Sequence, residues 1–312
     1  MEYRNLGRSG LQVSVVGLGT NNFGGRMDAK ATDAVVNEAL DMGINLFDEA
    51  DIYGGRGRSE EFFGQALGSR RHEAVVATKF GQRMGEGTME GGASRRWIMQ
   101  AVEDSLRRLN TDYIDLYQVH IPDPNTPQDE TLRALDDLVT QGKVRYLGNS
   151  NYAGWQIADG AWVAKSEHRT PYVSAQNAYS LLDRRADADV IPALKHFGLS
   201  LIPWGPLAGG LLTGKYQRGE AAPEGVRLAS GPQAERLLTD RNFDIVDDLT
   251  KFAEERGHTI LELAFCWLAT MPYVGSVIAG ATTPEQVRAN VAAAEWRLTP
   301  VEMAEVDKIT LR

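Results

Sequence analysis

Four side chains with complementary proton chemistry follow short apolar runs. Asp48 comes after Asn45 to Phe47, with Tyr53 five residues beyond it; Lys79 follows Ala74 to Thr78, and His120 follows Tyr113 to Val119. A phenol has a pKa of about 10, so it works as a general acid or base near neutrality only if something lowers that value. An adjacent Lys ammonium does this by stabilising the phenolate, and a carboxylate keeps the ammonium charged and oriented. A neutral imidazole beside the phenol would donate a hydrogen bond to a carbonyl oxygen. Together the four groups suit protonation of a carbonyl oxygen while hydride arrives at its carbon. The competing reading, a structural ion pair with a packed aromatic, leaves His120 without a purpose.

Whether these groups meet depends on the elements that carry them. Apolar or β-branched runs occur at Val15 to Gly19, Asn45 to Phe47, Ala74 to Thr78, Tyr113 to Val119, Val144 to Gly148, Tyr172 to Ala175, Leu199 to Pro203 and Val274 to Ile278. Amphipathic stretches such as Ala31 to Asp41, Ser59 to Leu67, Ser94 to Leu109, Asp129 to Gln141, Gly154 to Lys165 and Ala188 to Phe197 lie between them. Strand then helix, repeated, implies a parallel sheet. With no linker or composition shift to divide the chain, residues 1–312 are expected to form one α/β domain, a (β/α)8 TIM barrel. An N-terminal β-hairpin turned by Gly7-Arg8-Ser9-Gly10 and extra helices near the C-terminus would complete it. An open doubly wound sheet would need a dinucleotide turn after its first strand, and Gly17-Leu18-Gly19-Thr20-Asn21-Asn22 lacks the third Gly.

A barrel gathers its chemistry at the C-terminal ends of its strands. There the chain has Gly19-Thr20, Asp48, Lys79, His120, Ser150-Asn151, Gln176, Trp204 and Gly280. Trp204 and Gly280 are 76 residues apart, which leaves room for a loop and helix at the mouth of the site; the stretch from about Leu207 to Arg241 has no assignment. Thr126-Pro127, Thr283-Pro284 and Thr299-Pro300 each read as an N-cap Thr followed by Pro, and Gln286 and Glu302 would make the last two capping boxes.

Composition removes other classes. A formal charge of −9, with no run of five or more basic residues, argues against nucleic acid as the main partner. The one cysteine, Cys266, falls in an apolar helical stretch and reads as a core thiol; a disulfide framework and a Cys-based metal site are excluded, and no His pair has ligand spacing. Gly209 to Lys215 has P-loop spacing but ends in Tyr216, without the hydroxyl that binds Mg²⁺. No targeting segment or bilayer-length apolar run is evident, so a cytoplasmic protein with no membrane partner is expected. Monomer and homo-oligomer both stay open.

The segments Phe47-Asp48-Glu49-Ala50-Asp51-Ile52-Tyr53-Gly54, Ala77-Thr78-Lys79-Phe80 and Gln118-Val119-His120 resemble the aldo-keto reductase family. Gly148 to Asn151, Gln176 to Ser180, Pro206 to Tyr216 and Gly280 to Asn290 continue the resemblance in the family's order along essentially the whole chain. The His120 to Pro127 loop and Trp204 look most like bacterial reductases related to potassium-channel β subunits. The resemblance implies an enzyme reducing an aldehyde or ketone, with sugars and small hydroxy-carbonyls among the candidate substrates, with NADPH, and NADH as the alternative. It makes Tyr53 the general acid, Lys79 the group lowering its pKa, Asp48 the partner of Lys79, and His120 the carbonyl orienter. Ser150, Asn151 and Gln176 would hold the nicotinamide carboxamide and Trp204 its ring, with Gly19, Thr20, Asn21 and Asp48 nearby. Backbone from Gly205 through Pro206 and Leu207 to Gly209, with Lys215, would meet the pyrophosphate. Gly280, Thr282, Thr283, Gln286, Asn290 and Arg227 would meet the adenosine end.

Two positions depart from the commoner pattern. Glu49 replaces a usual Thr and is expected to be a rim carboxylate; Gln286 stands where many NADPH-specific members carry Arg. A pocket walled by Asn21 to Arg26, Tyr53, Phe80 to Gly85 and the loops after His120 and Trp204 would offer Phe23, Tyr53, Phe80 and Trp204 to the substrate. With Arg312 soon after the last helix, no long C-terminal loop is expected to close it. Two rivals stand beside the reductase. One is a nucleotide-sensing subunit, which by resemblance would carry Asn at the His120 position. The other is a Schiff-base barrel enzyme, which needs Lys79 without a carboxylate partner.

Overall fold

The structure, a computed structural model, describes residues 1–223 and 226–311. Glu224 and Gly225 within the unassigned stretch, and Arg312, on which the expectation of an open C-terminal edge drew, lie outside it. The strands are β1 Tyr3–Asn5, β2 Gln12–Ser14, β3 Val16–Gly19, β4 Leu46–Asp48, β5 Val75–Phe80, β6 Ile114–Val119, β7 Val144–Ser150, β8 Tyr172–Gln176, β9 Ser200–Leu201 and β10 Val277–Gly280. The helices are α1 Ala29–Asp41, α2 Tyr53–Arg56, α3 Arg58–Leu67, α4 Arg95–Leu109, α5 Gln128–Thr140, α6 Gly154–Ser166, α7 Val190–Phe197, α8 Pro232–Leu237, α9 Asp240–Glu254, α10 Ile260–Thr270, α11 Pro284–Ala292 and α12 Pro300–Thr310.

β3 to β10 form one parallel sheet in the spatial order β10-β3-β4-β5-β6-β7-β8-β9. It closes where Leu201 pairs with Val274: Leu201 N–H donates to Tyr273 O at 2.7 Å, and Gly275 N–H to Leu201 O at 2.9 Å. The result is the expected (β/α)8 barrel. The expected last strand is corrected, because residues around Val274 pair only with β9 and the regular strand begins at Val277, where the chain turns to pair with β3. β5 is buried at every residue, as a barrel strand sheathed by helices should be. The hairpin β1–β2 covers the N-terminal end of the barrel. Leu6 and Val13 pack there with Leu46, Val75, Ala77, Leu116, Ile202 and Ile278, so the barrel interior is plugged from below.

Local signals at the helix ends act as read in part. Ser94 caps α4, and Thr299 with Glu302 forms a reciprocal capping box on α12. Two expectations are corrected. Pro127, not Thr126, is the N-cap of α5, because the Thr126 hydroxyl donates instead to Asp123 at 2.7 Å. Thr283 does cap α11, but Gln286 reaches back to the N–H and hydroxyl of Thr282, so no reciprocal box forms there. Cys266 is fully buried and its thiol donates to Ala293 O. Among the described residues no helix is long and apolar enough to cross a membrane.

Candidate active site

Sheet register brings the strand-end residues together. Gly19 lies beside Asp48, Asp48 beside Ala77, Lys79 beside Gln118, and Ser150 beside Gln176. Backbone hydrogen bonds carry the ladder past the strands: Thr20 N–H donates to Asp48 O, Asp51 N–H to Lys79 O, His120 N–H to Phe80 O and Asn151 N–H to Gln176 O. The side chains therefore stand on a stiff frame rather than on free loops. Tyr53 reaches the same point through a tight turn. Gly54 has φ +65°, and a Cβ on it would lie 2.6 Å from Ser59 N, so the turn requires glycine.

At the centre, the Lys79 ammonium is fully buried and donates to Asp48 Oδ2 at 2.8 Å, to Glu49 O at 2.7 Å and to the Tyr53 hydroxyl at 3.4 Å. Gln176 Nε2 donates to the other Asp48 oxygen at 2.7 Å. The His120 ring meets the Tyr53 ring edge-on at 5.9 Å between centroids. Burial works most strongly against the charge on Lys79, yet Asp48 and Tyr53 together outweigh it and the ammonium pKa ends raised. A charged, carboxylate-paired amine is a poor Schiff-base former, which removes that rival. Burial and then the Lys79 charge push the His120 pKa down to about 3, so the imidazole is neutral.

Tyr53 behaves differently from the sequence expectation. Lys79 does pull its pKa down, but burial pushes up more strongly and Asp48 adds to it, so the net direction is upward. The phenol therefore holds its proton at neutral pH, and the Lys79 charge offsets part of the effect of burial.

Glu49 is not on the rim. It is fully buried, with Oε2 accepting from the Ser59 hydroxyl at 2.7 Å and Oε1 unpartnered. Successive strand residues face opposite sides, so with Asp48 facing the site Glu49 turns toward α3. There it joins Asp51, whose two carboxylate oxygens have no partner, and Glu60, which is held by Arg108 and Thr78. Burial pushes Glu49 and Asp51 up to about 8 each. A charged carboxylate with orphaned buried oxygens would be far costlier than a neutral acid.

One cleft of about 1050 Å³ opens above this cluster. It is lined by Tyr53, Asp48, His120, Gly19, Thr20, Asn21, Ser150, Asn151, Gln176, Trp204, Gly205, Pro206, Leu207, Gly209, Lys215, Arg227, Gly280, Thr282, Gln286 and Asn290. Of the residues singled out in the sequence, Lys79 lies beneath its floor and Thr283 is engaged as the α11 cap. Asn151 is not a helix cap: its amide donates to His120 O and accepts from Trp204 Nε1 at 3.1 Å, tying the indole to the catalytic rim. In the segment after Trp204, Gly205, Ala208, Gly209 and Gly210 all have positive φ. A Cβ on Gly210 would lie 2.7 Å from Lys215 Nζ, so glycine lets that side chain run over the turn.

Phe23 and Phe80 are fully buried and face the core, Phe80 packing against Tyr117 at a 30° tilt, so among the described residues the Phe, Tyr and Trp side chains that line the cleft are Tyr53 and Trp204. Arg26 and Gln82, expected only as pocket wall, do line the cleft, and the Gln82 amide meets His120 Nε2 at 3.2 Å; Gln233, from the stretch without assignment, had no expected role. Gln82 stands three residues past Lys79, and its place at a strand end was the available signal.

A parallel barrel with a Tyr, Lys, Asp and His cluster at its C-terminal end, under a cleft longer than one small substrate needs, defines a class of oxidoreductase barrels. The aldo/keto reductase family profile matches residues 15–311, and the chain belongs to that family. It is 38% identical to a probable voltage-gated potassium channel subunit beta from Oryza sativa subsp. japonica, across 99% of this chain and 95% of the relative. It is 38% identical to the uncharacterized oxidoreductase YrpG of Bacillus subtilis (strain 168), across 96% and 92%. A probable voltage-gated potassium channel subunit beta from Arabidopsis thaliana is 36% identical, across 99% and 96%. Family membership supports a carbonyl-reducing oxidoreductase, and aldo/keto reductases in general use nicotinamide cofactors.

Proposed function

We propose that this chain reduces an aldehyde or ketone to an alcohol, with Tyr53 donating the proton to the carbonyl oxygen. The observation that carries this is the Lys79 ammonium shared between Asp48 Oδ2 and the Tyr53 hydroxyl, beside a neutral His120. The bound nicotinamide dinucleotide would supply the hydride. As the carbonyl oxygen gains negative charge, it takes the Tyr53 proton; the phenolate left behind is stabilised by Lys79 and regains its proton from water. Asp48 keeps Lys79 in place, and Gln176 and Gln118 hold Asp48. His120, uncharged, gives a hydrogen bond that orients the carbonyl without competing as an acid.

The residues present fit such a cofactor. The cleft exceeds the roughly 300–1,000 Å³ of a drug-sized pocket. Its floor carries Ser150, Asn151 and Gln176 beside the Trp204 indole, and three cations line its walls. Gln286 has its carbonyl taken by Thr282, which leaves its NH₂ as a donor suited to phosphate. NADPH is the inferred form, with NADH the weaker alternative. A second reading, a nucleotide-binding partner subunit, is favoured by the names of the rice and Arabidopsis relatives. His120 favours the enzyme.

Titration of tryptophan fluorescence with NADPH and NADH, followed by an aldehyde panel in the same cuvette, tests the reading. Quenching by NADPH and then loss of reduced-nicotinamide absorbance is the expected result. Binding without reduction of any carbonyl would favour the partner-subunit reading, and no binding would overturn both.

A further inference from the structure

Charge in this protein is unevenly placed. The chain is acidic, with a formal charge of −9. Among the described residues, however, the cleft is lined by Arg26, Lys215 and Arg227 against a single carboxylate, Asp48, which is bound to Lys79. None of the three lining cations forms an ion pair with a described acid, whereas Arg70, Arg71, Arg108, Arg184, Arg218 and Arg256 all do.

The three come from opposite banks. Lys215 and Arg227 belong to the long connection after β9, and Arg26 to the loop between β3 and α1. The banks touch where Arg227 donates to Asn21 Oδ1 at 3.2 Å, five residues before Arg26. The cations also feel one another. After burial, the charges of Arg227 and Arg26 are what lower the Lys215 pKa, and Arg26 lowers that of Arg227 in the same way. Three like charges facing each other without an acid repel, and an anion between them would relieve all three contacts at once.

We propose that Arg26 is an anion ligand of the cleft, closing from the bank opposite Lys215 and Arg227 on a phosphate or carboxylate group. This rests on the reading of the cleft as a dinucleotide and carbonyl site, and it gives a chemical role to a residue otherwise expected only as pocket wall. The anion has two sources, a phosphate of the dinucleotide or an acidic group on the carbonyl substrate. A guanidinium suits either through paired N–H donors, which an ammonium supplies less well.

Arg26 is solvent-exposed, so Arg26→Ala should leave the fold intact, which thermal melting checks. For wild type, Arg26→Ala and Arg26→Lys, the NADPH dissociation constant is measured by tryptophan fluorescence at low and high salt. kcat/KM is then compared for a neutral four-carbon aldehyde and its ω-carboxylate counterpart. A tenfold or greater loss of NADPH affinity in Arg26→Ala, partly recovered in Arg26→Lys and shrinking at high salt, supports the proposal with the dinucleotide as source. Unchanged NADPH affinity with a tenfold loss confined to the carboxylated aldehyde supports it with the substrate as source. If both measurements match wild type, or if both aldehydes lose equally while NADPH binds normally, the proposal is overturned. A wild-type protein that binds no dinucleotide and reduces no aldehyde would instead overturn the underlying reading, and Arg26 with it.

Discussion

Replacing Glu49 by Gln should stabilise the protein increasingly as pH rises, by an amount the structure sets. Glu49 has an ordinary pKa of 4.5 that burial raises to about 8. Below about pH 4.5 the carboxyl is neutral in both folded and unfolded chains and costs nothing. Between 4.5 and 8 the unfolded chain ionises while the folded one keeps its proton, so the folded state binds more protons and loses stability as pH rises. Above about 8 both are ionised and the loss is complete. At about 1.4 kcal/mol per pH unit, the ceiling is about 5 kcal/mol. Asp51, raised from 3.8 to about 8, acts with the same sign and remains in the variant. His120 acts with the opposite sign: its folded pKa of about 3 gives stability that is present above 6.5 and lost as pH falls. The variant-minus-wild-type difference cancels both. Urea denaturation at half-unit steps from pH 5 to 9, with the m-value held common, should give curves that diverge in favour of Glu49→Gln up to about pH 8 and run parallel above it. Curves parallel below about pH 8 as well would refute the buried, neutral Glu49.

Three further outcomes follow from the same geometry. Lys79→Met should abolish most turnover and cost about 3–5 kcal/mol in denaturant stability, because it leaves Asp48 buried and unpaired; unchanged stability would mean the pair is not buried as described. With the His120 pKa near 3, NMR titration of its ring should show no protonation between pH 5 and 8, and an inflection near 6.5 would contradict its burial. Gly54→Ala should lower stability by more than about 1 kcal/mol, as both its φ of +65° and the 2.6 Å approach to Ser59 N oppose a Cβ, and it should slow turnover by displacing Tyr53; a wild-type melting curve and rate would count against that turn.

Much of the site was legible because strand ends can be found from apolar runs and a barrel collects strand ends at one mouth. Asp48, Lys79, His120, Gln176 and Trp204 needed no more than that. Residues between the strand ends were harder. Glu49 follows Asp48 directly, but pleat alternation turns it toward α3, and only the Ser59 contact fixes its surroundings. Phe23 and Phe80 have cleft-wall positions in sequence but core-facing side chains: loop conformation turns Phe23 inward, and pleat alternation after Lys79 turns Phe80 away from the mouth. Barrel closure at Leu201 and Val274 was hidden because it uses two bridging residues instead of a patterned strand. The direction of the Tyr53 pKa required the balance of burial against charge, which residue types alone do not give.

Proton delivery by Tyr53 is tested most directly by single-turnover carbonyl reduction by wild type and Tyr53→Phe, each preloaded with NADPH at a concentration confirmed by fluorescence binding. Proton delivery by Tyr53 should leave near-normal nucleotide affinity and a rate about 10²–10⁴-fold slower in the variant, the usual contribution of a positioned general acid. Normal single-turnover reduction by Tyr53→Phe would contradict it.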